Sequence, residues 1–150
     1  MSSVFLTTQQ RIADLLKENV YISENVISVI TEEKGDLASL IDEELQKLGI
    51  GICVRLGPGE RIENPPADYQ ETTKFIVSIV ESPTMNTTDA NAVRCVEEAI
   101  NTLHGQTVKP GGINLRFYAT GHSPVDLGDP SVTEHQIYIE TKTILANSNE

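Results

Sequence analysis

The chain has 150 residues, enough for a single domain that buries its own core without disulfides or metals. Its 22 acidic against 11 basic residues give a formal net charge of −11, which argues against sequence-specific nucleic-acid contact and against an anionic membrane, since both call for clustered Lys and Arg. The opening MSSVFLTTQQ lacks the basic start and apolar run of a secretory signal, and no stretch approaches the length of a membrane span, so synthesis and retention in a cytoplasm are expected.

Residues 7–19 predict a first helix, with Thr7 and Gln10 spaced for a capping box. Ile12, Leu15 and Leu16 form a narrow apolar stripe, which places this helix on the surface of the body. Residues 26–30 are rich in β-branched side chains without clean alternation and read as a short strand or an extended connector. Gly35 and Asp36 open a stronger helix over 37–48, in which Leu37, Leu40, Ile41, Leu45 and Leu48 share a face and Gly49 ends it. Ile50, Ile52, Val54 and Leu56 then alternate with Gly51, Cys53 and Arg55, the pattern of a half-buried strand.

The run GPGERIENPPADYQE, 57–71, has no periodicity and predicts a long exposed loop or an extended arm. The strand over 74–81 is apolar on both faces, Phe75, Val77 and Ile79 on one and Ile76 and Val80 on the other, so it belongs inside a sheet. Ser82, Pro83 and Asn86 mark a turn, and Thr88 and Asp89 are N-cap types. They precede a helix carrying Val93, Val96, Ile100 and Leu103 and closed by Gly105. Residues 106–112 read as a turn, 115–120 as a strand with Leu115, Phe117 and Ala119 on one face, and 121–130 as a second loop rich in Pro and Gly. The last strand, 132–145, carries Ile137, Ile139 and Leu145 on one face and Tyr138 and Ile144 on the other; 146–150 reads as a frayed tail. The predicted class is α+β, a single domain with an ordered core over about residues 7–145: a mostly antiparallel sheet of about four to five strands, with two to three helices packed on one face.

No motif here carries a reaction. The string Gly121, His122, Ser123, Pro124, Val125 has Val125 where a nucleophile elbow needs glycine, and no helix pattern follows. His122, Asp126 and Asp129 could gather ligands in one loop, but their spacing matches no recurrent zinc or calcium pattern. His104 falls at the end of the central helix, where a cation suits the dipole, and His135 lies on the last strand. The GPGE turn is followed by no helix and no suitably placed Lys, so a phosphate cradle is not expected. The acidic pairs Glu32 and Glu33, Glu43 and Glu44, and Glu97 and Glu98 read as solvated faces. Cys53 and Cys95 read as buried, reduced thiols. No catalytic residue, cofactor or metal is expected.

Three stretches carry a resemblance. EEKGDLASLIDEELQKLGIGICVRLGPG, FIVSIVESPTMNTT with AVRCVEEAINTLHG, and the closing EHQIYIETKTIL together resemble the bacteriophage tail terminator and tail completion proteins, small α+β domains of phages and prophages. The resemblance implies a non-enzymatic structural protein that forms a ring, typically a hexamer, at the head-proximal end of a tail tube. Its partners would be itself, the tail tube and head-completion proteins, and its place the host cytoplasm during assembly and then the virion tail. Candidate subunit contacts, chosen by exposure and loop length, are Gly57, Pro58, Gly59, Glu60, Arg61, Pro65, Pro66 and Tyr69 in one loop and His122, Asp126 and Asp129 in the other. An acidic inner wall would keep passing DNA from sticking. Two rivals stand beside this reading. One is a soluble adaptor that binds a partner through an edge strand, unrelated to virions; the other is a small hydrolase or metal enzyme using His122 with Asp126 or Asp129.

Overall fold

The computed structural model describes residues 3–62, 69–112 and 114–145. Its spine is a pair of 13-residue antiparallel strands, β4 (Tyr69–Glu81) and β8 (Thr133–Leu145), in register from Tyr69 opposite Leu145 to Glu81 opposite Thr133. Such a pair runs about 40 Å. On one side of it lie β2 (Ile50–Leu56), antiparallel to β4, and β1 (Val29–Thr31), parallel to β2. On the other side β7 (Tyr118–Val125) pairs with β8, while the two-residue β3 (Glu60–Arg61) pairs with the start of β4 on the same side as β2. The sheet order is β1-β2-β4-β8-β7, and a separate ribbon joins β5 (Thr107–Val108) to β6 (Leu115–Arg116). The α+β class and the mainly antiparallel sheet are as the sequence predicts.

The core lies on one face of the sheet, where Ile50, Ile52 and Val54, Phe75, Val77 and Ile79, and Ile137 and Ile139 are all buried. Helices α1 (Val4–Glu18) and α4 (Ala92–Leu103) cover that face with Ile12, Ala13 and Leu16 and with Cys95, Val96, Ala99 and Leu103. Each large aliphatic side chain buried there contributes about 1.5–3 kcal/mol before chain entropy is subtracted. Two expectations change at this interface. The α1 stripe is not superficial, because Ala13, Thr8 and Gln9 widen it and the helix is seated in the core. In α4 it is Cys95 and Ala99, not Val93, that join Val96 and Leu103; Val93 is 60% exposed.

Helix α3 (Leu37–Lys47) departs from the one-face arrangement. A Cβ added at Gly51, whose neighbours Ile50 and Ile52 point into the core, would meet the Ile41 methyl at 2.9 Å and Glu44 Cβ at 3.1 Å. Strand residues alternate faces, so α3 stands over the opposite side of the sheet, where Gly51 leaves it room. Of its apolar face only Leu45 is buried, at 9% exposure.

Local chemistry fixes the element ends. Ser3, not Thr7, caps α1, Asp36 caps α3 through Ala38 N–H, and Asn91, not Thr88 or Asp89, caps α4. The sequence reading missed α2 (Val20–Glu24), a single short turn whose cap Asn19 also donates to Glu98 Oε2 at 3.1 Å and Thr102 Oγ1 at 2.9 Å, joining α1 to α4. Between β4 and α4 the loop is locked by Glu81, which accepts from Asn86 Nδ2 at 2.7 Å and from Ala92 N–H at 3.0 Å, the first amide of the helix. The loop passes so close to α3 that a Cβ on Gly49, at φ +81°, would lie 2.3 Å from Asn86 N.

Candidate functional site

The sequence-derived contact residues fall at the two ends of the β4–β8 spine. Within 57–71 the described residues, 57–62 and 69–71, follow the extended-arm alternative. Gly57 N–H donates to Lys74 O at 2.7 Å, Glu60 and Arg61 pair with Thr72 and Glu71, and Ile62 N–H donates to Gln70 O at 3.0 Å, so the chain returns as a ribbon beside β4. Pro58, Gly59, Glu60 and Arg61 are exposed along this ribbon, Gly57 is half-buried, and Tyr69 opens β4 with 40% of its surface exposed. Pro65 and Pro66, and the tail 146–150, lie outside the described residues.

With β8 on its other side, β4 forms a three-stranded arm whose core-side face is polar. Glu71, Thr73, Thr141 and Thr143 continue the rows of Phe75 and Ile139 and are buried, Glu71 to 7% exposure. The Thr73 hydroxyl donates to Glu71 Oε2 at 2.8 Å and meets Thr143 Oγ1 at 2.6 Å, while Thr141 donates to Arg116 O at 2.8 Å. A polar ladder of this kind satisfies its buried oxygens internally. On the other face of the arm Lys74 lies 4.0 Å from Glu140 and 5.5 Å from the centre of the Tyr138 ring.

At the opposite end, residues 121–125 are not loop but the second half of β7, with His122 opposite Ile137 and exposed. Gly121 to Val125 therefore runs through mid-strand, and Ser123 Oγ donates to Pro124 O at 3.0 Å; no strand-to-helix elbow presents it as a nucleophile. Asp126 and Asp129 sit in the following turn, where Asp126 Oδ1 accepts from Gly128 N–H and Asp129 Oδ1 accepts from the Ser131 amide and hydroxyl at 2.9 and 2.7 Å. Those Ser131 bonds hold the Asp129 carboxyl below its ordinary pKa. Both acids act as turn acceptors, and among the described residues no group of three His, Cys, Asp or Glu could hold a metal ion. The turn borders an open concavity of about 490 Å³ with Leu127, 45% exposed, in its wall.

The remaining chemistry-bearing side chains serve the fold. Glu32 Oε1 accepts from Gln9 Nε2 at 2.9 Å and from Leu56 N–H, tying α1 to the sheet. Glu44 pairs with Lys47 at 3.7 Å and Glu98 with Arg94 at 2.9 Å. His104, at the helix end as expected, uses Nδ1 to accept from Ala119 N–H at 3.0 Å and meets the Tyr118 ring edge-on at 6.2 Å. His135 is half-buried opposite Ile79. Cys53 and Cys95 are free and buried; burial pushes their thiols up to about 11 and about 12.

No helix among the described residues is long and apolar enough to cross a membrane. No protein-family model matches the chain, and no curated protein matches it. Among solved structures it is similar to a chain of the "Virion of native gene transfer agent (GTA) particle", with a TM-score of 0.57 over 93% of this chain and 95% of that chain and a sequence identity of 12%. The likeness is one of fold. It spans nearly the whole of both chains, so neither carries a large element that the other lacks.

Proposed function

We propose that this chain is a non-enzymatic structural component of a phage-like particle, a tail terminator or tail completion factor that assembles as a ring at the head-proximal end of the tail tube. The observation that carries the reading is the whole-chain likeness of fold to a virion chain. The tail-terminator resemblance of residues 32–59, 75–105 and 134–145 supports it independently. The geometry of the candidate residues supports it as well. His122, Asp126 and Asp129 are engaged in a strand and a turn, and the long arm and the acidic turn lie where other subunits can reach them. On this reading the chain assembles in the bacterial host's cytoplasm with its own copies, the tail tube and head-completion proteins, and then remains in the tail.

Deleting the gene from a host that produces the particle tests the proposal. Electron microscopy is expected to show tails of uncontrolled length that fail to join heads, with normal particles restored by complementation. Normal tails joined to heads in the deletion strain would refute it and favour the adaptor reading.

A further inference from the structure

Helix α3 is held to the sheet far more lightly than α1 and α4. Each of those two buries five residues, whereas α3 buries only Leu45, and Leu37, Leu40 and Ile41 stay half-buried. Its polar side chains bond within the helix itself. Asp36 accepts from Ala38 N–H and from Ser39 Oγ, both at 3.1 Å, and Glu44 lies 3.7 Å from Lys47. Among the described residues no α3 side chain makes a hydrogen bond or ion pair to another element.

The anchors of α3 lie at its two ends. After the helix, Leu48 O accepts from Thr87 N–H at 3.0 Å and Gly49 O from Ser82 N–H at 2.8 Å, which pins the chain to the 82–87 loop. Before it, Glu32 is tied to Gln9 and to Leu56 N–H. Between that tie and the helix stands Gly35, exposed, at φ +116°, with open space where a Cβ would be. Gly49 also has a positive φ, +81°, so α3 is bracketed by two residues that only glycine fills without strain.

Beneath α3 lies apolar sheet. Gly51 and Cys53 of β2 stand opposite Val80 and Ser78 of β4, on the face where Gly51 meets Ile41. Cys53 and Val80 are each 7% exposed and Ser78 3%. Helices α1 and α4 lie on the other face, so this strip owes its cover to α3. A helix with one buried residue and no side-chain ties opens at lower cost than the core of the same molecule.

We infer that α3 is a hinged cover, which lifts from the sheet as a unit about Gly35 and Gly49 while the core under α1 and α4 stays folded. Closed, it keeps the strip of β2 and β4 from water and from other chains; open, it presents that strip. The device does not depend on the chain's belonging to a tail.

Thiol labelling reads the two faces of the sheet separately, because Cys53 lies on the α3 side and Cys95 on the core side of α4. The full chain is treated with an excess of an alkylating reagent at several urea concentrations below the unfolding transition, and each site is followed by peptide mass spectrometry. Cys53 is expected to react about tenfold or more faster than Cys95, with a shallower urea dependence, since lifting one helix exposes less surface than global unfolding. Ile12→Val, in the core under α1, should speed Cys95 about fivefold and leave Cys53 unchanged. Glu43→Pro, at an exposed position in the middle of α3, breaks the helix and should leave Cys53 fully reactive while Cys95 stays protected. Equal rates with equal urea dependence in the wild type would overturn the inference. So would an Ile12→Val chain in which both sites speed up alike, or a Glu43→Pro chain that is unfolded or exposes both thiols.

Discussion

Val26 has φ 55° and is 73% exposed, closing α2 in a left-handed conformation that a β-branched side chain resists. Two bonds hold it there, Ile27 N–H to Ile22 O and Val26 N–H to Ser23 O, the pairing of a Schellman cap that glycine usually occupies. Val26→Gly gives up no burial and relieves this strain, so urea denaturation should show a gain of about 1 kcal/mol. Gly49 is the converse: Gly49→Ala adds a Cβ at positive φ against the backbone of Asn86 and should cost about 2 kcal/mol or more in the same assay. Glu98 supplies a pH dependence. Asn19 first, and then Arg94, hold its carboxyl below the ordinary value. The stability this adds is therefore complete above the ordinary carboxylate range, about pH 4 and higher, and is lost as the pH falls through the depressed folded value. Denaturation at pH 7 should show Glu98→Gln less stable than the wild type, and the difference should shrink towards zero near pH 2. A difference that persists there would mean that the hydrogen-bond geometry, not the charge, carries the effect.

Elements show how far the sequence could be read. β2 and the apolar part of β4 were legible because their alternation leaves little choice of face, and α3 because Asp36 and Gly49 bracket a clean apolar stripe. The N-terminal half of β4 was not legible: Glu71 and Thr73 sit at core-facing positions where a strand pattern calls for apolar side chains, and only the ladder to Thr143 explains their burial. The second half of β7 read as loop because Gly121 and Pro124 punctuate it, yet both are tolerated on an edge strand whose outer side makes no ladder bonds. The face chosen by α3 could not be read either, since an amphipathic stripe does not say which side of a sheet receives it; the lack of a side chain at Gly51 decides it. Gly51→Val should therefore push α3 away while leaving the α1–α4 core in place. Hydrogen exchange is expected to speed up across residues 37–47 and to stay unchanged in α1, and equal acceleration in both would contradict the placement. Most of the described candidate residues were legible as exposed positions, Gly57 excepted, but not as two opposite ends of one spine, because that relation exists only once β4 and β8 are paired.

As a whole molecule, the chain buries most of its apolar surface under α1 and α4 on one face of the sheet, seats α3 on the other, and carries the β4–β8 pair on into an arm whose core-side face is polar. Buried thiols are of a piece with this. Because burial raises both above the ordinary value, the folded form keeps its protons as the pH rises while the unfolded form loses them, so alkaline conditions favour unfolding. At pH 8 a thiol reagent should label Cys53 and Cys95 only as fast as the protein opens. The central claim, that such a body is a subunit of a tail's head-proximal ring, is tested most directly by electron cryo-microscopy of the head-to-tail junction of a particle made by a host that carries this gene. The account predicts a ring of density there into which copies of this fold dock. A junction complete without this chain, in particles from which the protein is absent, would contradict it.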